Sequence, residues 1–296
     1  MPPDAGLPIA EEGPPAEGHE ELLIAPPAGP RLFEQAWLPE GAAKASVAVV
    51  HGLGEHSGRY APLADELTRH GYAVHALDLR GHGRSEGERA YVTSFGAYLD
   101  DLQRFLARVR KPGEPLFVLG HSMGGTIVTL AAIARGIEAD GIILSGPVLP
   151  DGRQPARVRG LVIRVLAKVA PHTPLTRLDA NLISRDPEVV ERYQVDPLVY
   201  HGRLRAGFIA AFMRALARIG RDMEQFDLPL LILHGSEDRL ASAEGSRALR
   251  SRAGSDDVTF KLYRGLYHEV LNEPERARVL KDVIEWLDAH VEGLGG

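Results

Sequence analysis

The chain of 296 residues is long enough to bury a sizeable core, and its 44% hydrophobic and 25% charged residues are typical of a globular protein. Its 34 basic and 40 acidic residues give a net charge of -6 without a long block of one sign, which argues against nucleic acid as a partner. Cysteine is absent, and this excludes disulfides, a thiolate nucleophile and a cysteine-ligated metal or cluster.

The N-terminal segment, residues 1–20, is rich in proline, glycine and glutamate. It offers so little apolar surface that burial would not offset the entropy of ordering it, and we predict a disordered tail. The segment has neither the basic nor the apolar region of a secretion signal, and the chain has no uninterrupted apolar stretch of about 18 residues. We therefore expect a cytoplasmic protein without a membrane span.

After the tail, we predict an antiparallel hairpin at one edge of a sheet, formed by Glu21–Leu38. Short apolar runs then alternate with stretches whose apolar residues recur at three- and four-residue spacings. The runs predict buried strands at Ala45–His51, Ala73–Leu79, Pro115–Gly120, Gly141–Ser145, Leu228–His234 and Val258–Tyr263. The stretches predict helices at Tyr60–His70, Ser94–Arg110, Met123–Arg135, Glu244–Arg252 and Pro274–His290. This alternation predicts an α/β protein with a mostly parallel, doubly wound sheet.

Residues 147–226 interrupt the alternation, because no run in them predicts a strand and prolines divide them into helical pieces. We interpret this segment as a helical cap. It is inserted into a core that residues 21–146 and 227–296 form together.

The pentapeptide GHSMG at 120–124 lies between a predicted strand and a predicted helix. Its glycines leave room for a sharp turn around Ser122, and the following helix directs backbone N–H groups towards a developing oxyanion. This G-x-S-x-G pattern is typical of the nucleophile elbow of α/β-hydrolases, and it predicts Ser122 as a nucleophile. A glycine-rich turn with a surface serine is the alternative.

A nucleophilic serine needs a general base, and the base needs an orienting carboxylate. In this fold the chain order is serine, acid, histidine. Glu237 and Asp238 both follow a buried strand at the edge where catalytic groups gather, so either could be the acid. His268 lies in the loop before the last helix and is the predicted base. It must be neutral to accept the serine proton, and its second nitrogen should donate to the acid.

The oxyanion of the tetrahedral intermediate needs two N–H donors. The segment HGLG at 51–54 resembles the H-G-x-G motif of hydrolases. We predict the backbone N–H groups of Leu53 and Met123 as the pair. An ordinary tight turn would use the same glycines, so the two interpretations are compatible.

From about residue 31 to residue 291 the chain resembles the monoacylglycerol lipases, a family of α/β-hydrolases. The resemblance rests on HGLGEHSGRY at 51–60, GHGRSEG at 81–87 and GHSMGG at 120–125, on SRDP at 184–187 and DPL at 196–198 within the cap, and on LYHEV at 266–270. It implies a hydrolase without cofactor or metal that releases a fatty acid and glycerol. It also selects Asp238 rather than Glu237 as the acid of a triad with Ser122 and His268.

The resemblance further implies an apolar tunnel beneath the cap for the acyl chain and a smaller polar pocket for glycerol. The stretches Leu161–Val169 and Phe208–Ile219 carry apolar stripes that suit a tunnel wall or a lid resting on lipid, and packing of the cap on the core is an equal alternative. Glu55, Arg59 and Tyr193 match polar positions near the glycerol site, with a salt bridge and a surface tyrosine as the alternative.

The chain departs from the mammalian members of the family in two respects. They carry cysteines beside the pocket and a second histidine shortly after the catalytic one, whereas this chain has no cysteine and has Leu271 in that stretch. The polar pocket is therefore the part of the site that the resemblance defines least.

We expect a small-molecule lipid ester as substrate, with monoacylglycerols first, and transient contact of the cap with membranes or micelles. A broad carboxylesterase or lysophospholipase with the same triad is one alternative, and a non-catalytic lipid-binding protein of the same fold is another. The sequence leaves the acyl-chain length, the regiospecificity and the oligomeric state open.

Overall fold

The computed structural model describes residues 18–26, 29–152 and 157–294. Of the predicted tail, residues 1–20, the first 17 lie outside the described residues. The first strand begins at His19. The main sheet has eight strands: β1 His19–Ile24, β2 Leu32–Trp37, β3 Ala45–Val50, β4 Tyr72–Leu77, β5 Leu116–His121, β6 Gly141–Ser145, β9 Leu230–Gly235 and β10 Val258–Tyr263. The two remaining strands, β7 Pro174–Thr176 and β8 Leu204–Arg205, form a separate pair.

The eight strands run in the order β1-β2-β4-β3-β5-β6-β9-β10. β1 pairs with β2 and β2 with β4 in antiparallel fashion, and all other pairs are parallel. This arrangement confirms the mostly parallel sheet and its antiparallel edge hairpin. The central strands β3 and β5 are buried at every residue, as expected for unbroken apolar runs covered on both faces.

Helices cover both faces of the sheet and form two apolar clusters with it. The helices are α1 Ala61–Arg69, α2 Gly96–Val109, α3 Met123–Arg135, α4 Arg157–Val169, α5 Pro187–Val195, α6 Ala206–Asp222, α7 Ala243–Arg252 and α8 Arg276–Leu294. One cluster contains Phe105 of α2 and Ile127 of α3, and the other contains Leu67 of α1 and Val283 of α8. The fold is therefore doubly wound as predicted. The loops that follow β3, β5, β9 and β10 meet at the carboxyl edge of the sheet.

The predicted cap contains α4, α5 and α6, but the prediction that it has no strand is wrong. β7 and β8 pair in antiparallel fashion within it. Strands of three and two residues are too short to produce a readable alternation of apolar and polar residues, so sequence periodicity could not reveal them. Helix α6 also packs its buried face, including Phe208 and Ile219, into the core cluster that covers the sheet.

Across the described ranges, none of the helices combines the length and the apolar character needed to cross a membrane.

Candidate active site

Ser122 stands at the turn between β5 and α3 with φ 53° and ψ −116°, a left-handed conformation that is rare for a residue other than glycine. The neighbouring glycines explain how the chain accommodates this turn. A Cβ on Gly120 would stand 2.8 Å from the carbonyl oxygen of Gly124, and a Cβ on Gly124 would overlap the carbonyl oxygen of Val50. The glycines are therefore a steric requirement of this elbow.

The structure brings Ser122, His268 and Asp238 together. His268 Nε2 lies 2.8 Å from Ser122 Oγ, and His268 Nδ1 lies 2.7 Å from Asp238 Oδ2. Nδ1 therefore donates to the carboxylate, and Nε2 is left to accept the hydroxyl proton of the serine. Because the His268 side chain is only 5% exposed and that of Asp238 is fully buried, both hydrogen bonds are shielded from water.

Asp238 is held as a carboxylate by donors on both of its oxygens. Oδ1 accepts the backbone N–H groups of Leu240 and Ala241, each at 2.8 Å. Burial by itself would raise the pKa of Asp238, but the hydrogen bonds from His234 and His268 and that from the Ala241 N–H hold it well below its usual range. Glu237, the other candidate acid, is exposed and its nearest side-chain partner is Ser236.

Hydrogen bonds of its own side chains stabilise the loop after β3. His51 donates from Nδ1 to the carbonyl of Gly52 at 2.7 Å and accepts the N–H of Leu79 at Nε2 at 2.9 Å. Glu55 accepts the N–H of Gly52 at 2.6 Å. Within the described part of the chain, no protein acceptor binds the N–H groups of Leu53 and Met123, the two predicted oxyanion donors.

A buried ionic cluster joins this loop to the loop that carries His268. The Arg59 guanidinium contacts Glu55 at 2.5 Å and binds both carboxylate oxygens of Glu269 at 2.8 Å. Burial would raise the pKa of Glu55, but Arg59 together with nearby histidines and the Gly52 N–H lowers it to about 2. Sequence reasoning missed Glu269, although its position directly after the predicted base was a signal.

Of the three predicted glycerol contacts, Glu55 and Arg59 form the salt bridge that was the alternative interpretation. The other half of that alternative, a surface tyrosine, is wrong because Tyr193 is only 5% exposed. The Arg59 guanidinium carbon lies 4.8 Å from the centre of the Tyr193 ring. The Tyr193 hydroxyl stands 3.5 Å from the place a Cβ on Gly54 would occupy. It therefore faces the loop after β3, residues 51–56, which holds the predicted donor Leu53 and is called the oxyanion loop below.

Residues of the predicted cap are hydrogen-bonded to the loop after β3 and to the loop that carries His268. Tyr200 N–H donates to the carbonyl of Gly54 at 2.7 Å, and His56 Nε2 lies 2.9 Å from the carboxylate of Asp196. On the other side, Glu269 N–H donates to the carbonyl of Ile183 at 2.8 Å. The segments on either side of α5 thus fix the oxyanion loop and the loop that carries His268 relative to each other.

Comparison with known proteins decides the family. The model of the family described as "Serine aminopeptidase, S33" matches residues 41–275. The chain is 42% identical over 271 residues to the monoacylglycerol lipase of Mycolicibacterium smegmatis, which covers 89% of this chain and 95% of that protein. It is 37% identical over 272 residues to the monoglyceride lipase of Homo sapiens, with 90% of each covered.

The chain belongs to the monoacylglycerol lipase family. The crystal structure of the Paleococcus ferrophilus monoacylglycerol lipase superposes on it with a TM-score of 0.78 at 32% identity, covering 88% of this chain and 99% of that one. A soluble variant of the monoglyceride lipase of Saccharomyces cerevisiae, in complex with a substrate analog, superposes with a TM-score of 0.79 at 27% identity. The match covers 92% of this chain and 94% of that one. The α/β-hydrolase fold and the family predicted from the motifs are thereby confirmed, and this member of the monoacylglycerol lipase family is a serine hydrolase.

Proposed function

We propose that this protein hydrolyses monoacylglycerols to a fatty acid and glycerol through an acyl-enzyme on Ser122. The observation that carries the proposal is the continuous path of hydrogen bonds from Ser122 Oγ through His268 to Asp238. Relatives named as monoacylglycerol lipases over nine-tenths of the chain give the substrate class.

The geometry supports a two-step acyl transfer. Ser122 Oγ attacks the ester carbonyl while His268 Nε2 takes its proton, and Asp238 stabilises the imidazolium through Nδ1–H. The N–H groups of Leu53 and Met123 stabilise the oxyanion, each contributing about 3 kcal/mol in comparable sites. His268 then protonates the leaving glycerol oxygen, and a water activated by the same ring hydrolyses the acyl-enzyme.

A cavity of about 1470 Å³ between the cap and the core provides the room for an acyl chain. Its apolar lining includes Leu149 after β6, Leu161 of α4, Met213 of α6 and Leu240 beside the triad acid. Asp238 is part of its wall, whereas Ser122 and His268 are not among its lining residues, so the cavity approaches the triad from the side of the acid. Its volume exceeds the roughly 300–1,000 Å³ of sites for drug-sized ligands.

The substrate class can be tested by direct competition. We expect kcat/KM for a long-chain monoacylglycerol to exceed that for a triacylglycerol, a lysophospholipid or a short p-nitrophenyl ester by about tenfold or more. Among these esters it alone combines a single long acyl chain for the apolar cavity with a glycerol whose other two hydroxyls are free. All four are measured below their aggregation concentrations or in matched micelles. A tenfold preference for the short ester would favour a broad carboxylesterase, and preference for the lysophospholipid would favour a lysophospholipase.

We further propose that Glu55, Arg59 and Tyr193 surround the glycerol moiety. Glu55 and Arg59 are engaged with each other and with Gly52 and Glu269, so their part is to shape the pocket and hold the loop. The Tyr193 hydroxyl lies beside Gly54, which supports the proposal that it is the group that contacts a glycerol hydroxyl.

Tyr193→Phe should lower kcat/KM for a monoacylglycerol about fivefold to tenfold, which corresponds to the loss of one hydrogen bond of about 1 kcal/mol. The p-nitrophenyl ester of the same fatty acid should be cleaved at the wild-type rate, because it has no glycerol. Tyr200→Phe is the matched control, since its hydroxyl binds the Arg203 carbonyl within the cap. An equal loss on both esters would mean that Tyr193 acts on the loop and not on glycerol.

We also propose that this enzyme is cytoplasmic and that it meets membranes or micelles transiently through α4. Four large apolar residues of this helix, at positions that share one face, are at least half exposed: Leu161 56%, Val162 50%, Val165 50% and Val169 74%. Arg164 and Lys168 lie among them, which suits an anionic lipid surface. A second cavity of about 800 Å³ opens against Leu161 and Val165 and continues to Tyr91 and Pro171.

Val169→Asp should weaken binding to vesicles of phosphatidylcholine and phosphatidylglycerol about tenfold, because an apolar side chain is lost and an anion is brought to an anionic surface. Flotation of the protein with vesicles measures this directly. Val195→Asp is the control: Val195 is 72% exposed but lies at the end of α5. Equal loss in the two variants would contradict docking through α4.

A further inference from the structure

His234, the residue before the last of β9, is a fully buried histidine that the mechanism above does not use. Its Nε2 lies 3.1 Å from the carbonyl oxygen of Ala241 and 3.2 Å from Asp238 Oδ2. Its Nδ1 lies 2.8 Å from the hydroxyl of Ser246 in α7. Both ring nitrogens are therefore engaged inside the protein.

The partners fix where the ring proton sits. Nε2 faces a carbonyl and an ionised carboxylate, and neither of these groups can donate, so Nε2 must carry the proton. Ser246 can donate its hydroxyl proton to Nδ1 of the neutral ring. Because a buried polar atom without a partner is costly, this pattern of contacts is a constraint on the ring and not a coincidence of packing.

We propose that His234 is a positioning residue for the triad acid. Asp238 accepts two backbone N–H groups on Oδ1, and on Oδ2 it accepts the Nδ1–H of His268. Nε2 of His234, which is hydrogen-bonded to the Ala241 carbonyl, lies 3.2 Å from the same Oδ2. The second imidazole fixes the rotation of the carboxylate so that Oδ2 faces His268. It also takes up part of the negative charge of Oδ2, which moderates how strongly that oxygen stabilises the imidazolium form of His268.

Other charged groups near this arrangement have partners other than His234. The His121 ring stands 4.9 Å from that of His268, and burial lowers the pKa of His121. Beyond it lies the cluster of Glu55, Arg59 and Glu269. On α7, Glu244 and Arg247 pair with each other at the surface.

This proposal rests on the triad of the proposed function. It is tested by replacing His234 with glutamine or with asparagine, two uncharged amides that differ by one methylene. The amide nitrogen of Gln in His234→Gln reaches about as far as Nε2 and can still donate to Asp238. The shorter amide in His234→Asn reaches only to the Nδ1 side, towards Ser246. The pH profile of kcat/KM is measured with a soluble p-nitrophenyl ester, active sites are counted with a fluorophosphonate, and Tm is recorded. This ester keeps the result independent of any preference for monoacylglycerols.

We expect His234→Gln to keep kcat/KM per active site within about threefold of wild type, with an unchanged acid limb. His234→Asn should lose about tenfold, or about 1.4 kcal/mol of transition-state stabilisation, because the group that fixes the rotation of the Asp238 carboxylate is gone. The acid limb of its pH profile should move to higher pH by about 0.5 unit. Without His234, the full negative charge of Asp238 Oδ2 acts on His268 and favours the imidazolium form of that ring. The proposal is overturned if the variants match wild type, or if both lose activity equally with a wild-type profile, as simple packing would require. If only His234→Gln folds, a loss above tenfold or a shifted limb in that variant overturns it.

Discussion

Ser122→Ala should lower kcat by about 10⁶-fold on every ester that the wild type cleaves, because the covalent path through the acyl-enzyme disappears and with it the partner of His268. Residual hydrolysis about 10³-fold above the uncatalysed rate should persist, since the backbone donors of the oxyanion hole remain. The measurement is single-turnover hydrolysis at high enzyme concentration, which detects activity that steady-state assays would lose.

The same variant tests the nucleophile without relying on a substrate. A fluorophosphonate should add one phosphonyl group to the wild type, located on the peptide that contains Ser122, and none to Ser122→Ala. Ser46→Ala is the control for a buried serine, because Ser46 lies at the opposite end of β3 and donates to Glu114. Failure of the wild type to be labelled would contradict enzymatic function and favour a lipid-binding protein of the same fold.

The parts of the fold that sequence could predict are those with a long or regular apolar pattern. The strand at Gly141–Ser145 and the helix at Met123–Arg135 have the predicted bounds, and the edge hairpin is where it was expected. Buried parallel strands and amphipathic helices leave patterns that depend on the chain alone. The β7–β8 pair leaves none, because its few residues are held by tertiary contacts.

Within the site, chain order and motif could suggest the triad but could not supply its environment. The preference for Asp238 over Glu237 depended on resemblance, whereas the structure places only Asp238 against His268. The position of Glu269 next to the predicted base was a signal, but its ion pair could not be predicted because its partner, Arg59, lies 210 residues away along the chain. Such buried ion pairs depend on which loops the sheet brings together, and no local pattern encodes that.

The active site therefore depends on contacts between loops as much as on the triad itself. Arg59 ties the oxyanion loop to the histidine loop through Glu55 and Glu269, and the cap contributes backbone hydrogen bonds to both loops. The geometry that the chemistry needs, with donors held to within fractions of an ångström, is built from these long-range contacts.

Asp238→Asn should lower kcat by about 10⁴-fold, and Glu237→Gln by less than about twofold. The oxygen of the asparagine amide would accept the backbone N–H groups of Leu240 and Ala241, which leaves its NH2 group facing His268. His268 would then adopt the tautomer with its proton on Nε2 and could no longer accept from Ser122. Both variants lose one negative charge from neighbouring positions in the same loop, so a general electrostatic effect would appear in both. If Glu237→Gln is the more damaging change, the assignment of the acid is wrong.

The same pair should differ in the pH dependence of stability. Because the pKa of Asp238 is lower in the folded protein than in the unfolded chain, its ionisation stabilises the fold above the unfolded pKa of about 4. This contribution is lost as pH falls towards the folded pKa. Tm of the wild type and of Glu237→Gln should therefore fall more steeply between about pH 5 and pH 3 than Tm of Asp238→Asn, which has no carboxylate to protonate at this position. Parallel curves for all three proteins would show that His234, His268 and the surrounding N–H groups do not lower the pKa of Asp238. The ionised acid that the mechanism requires would then have no physical explanation.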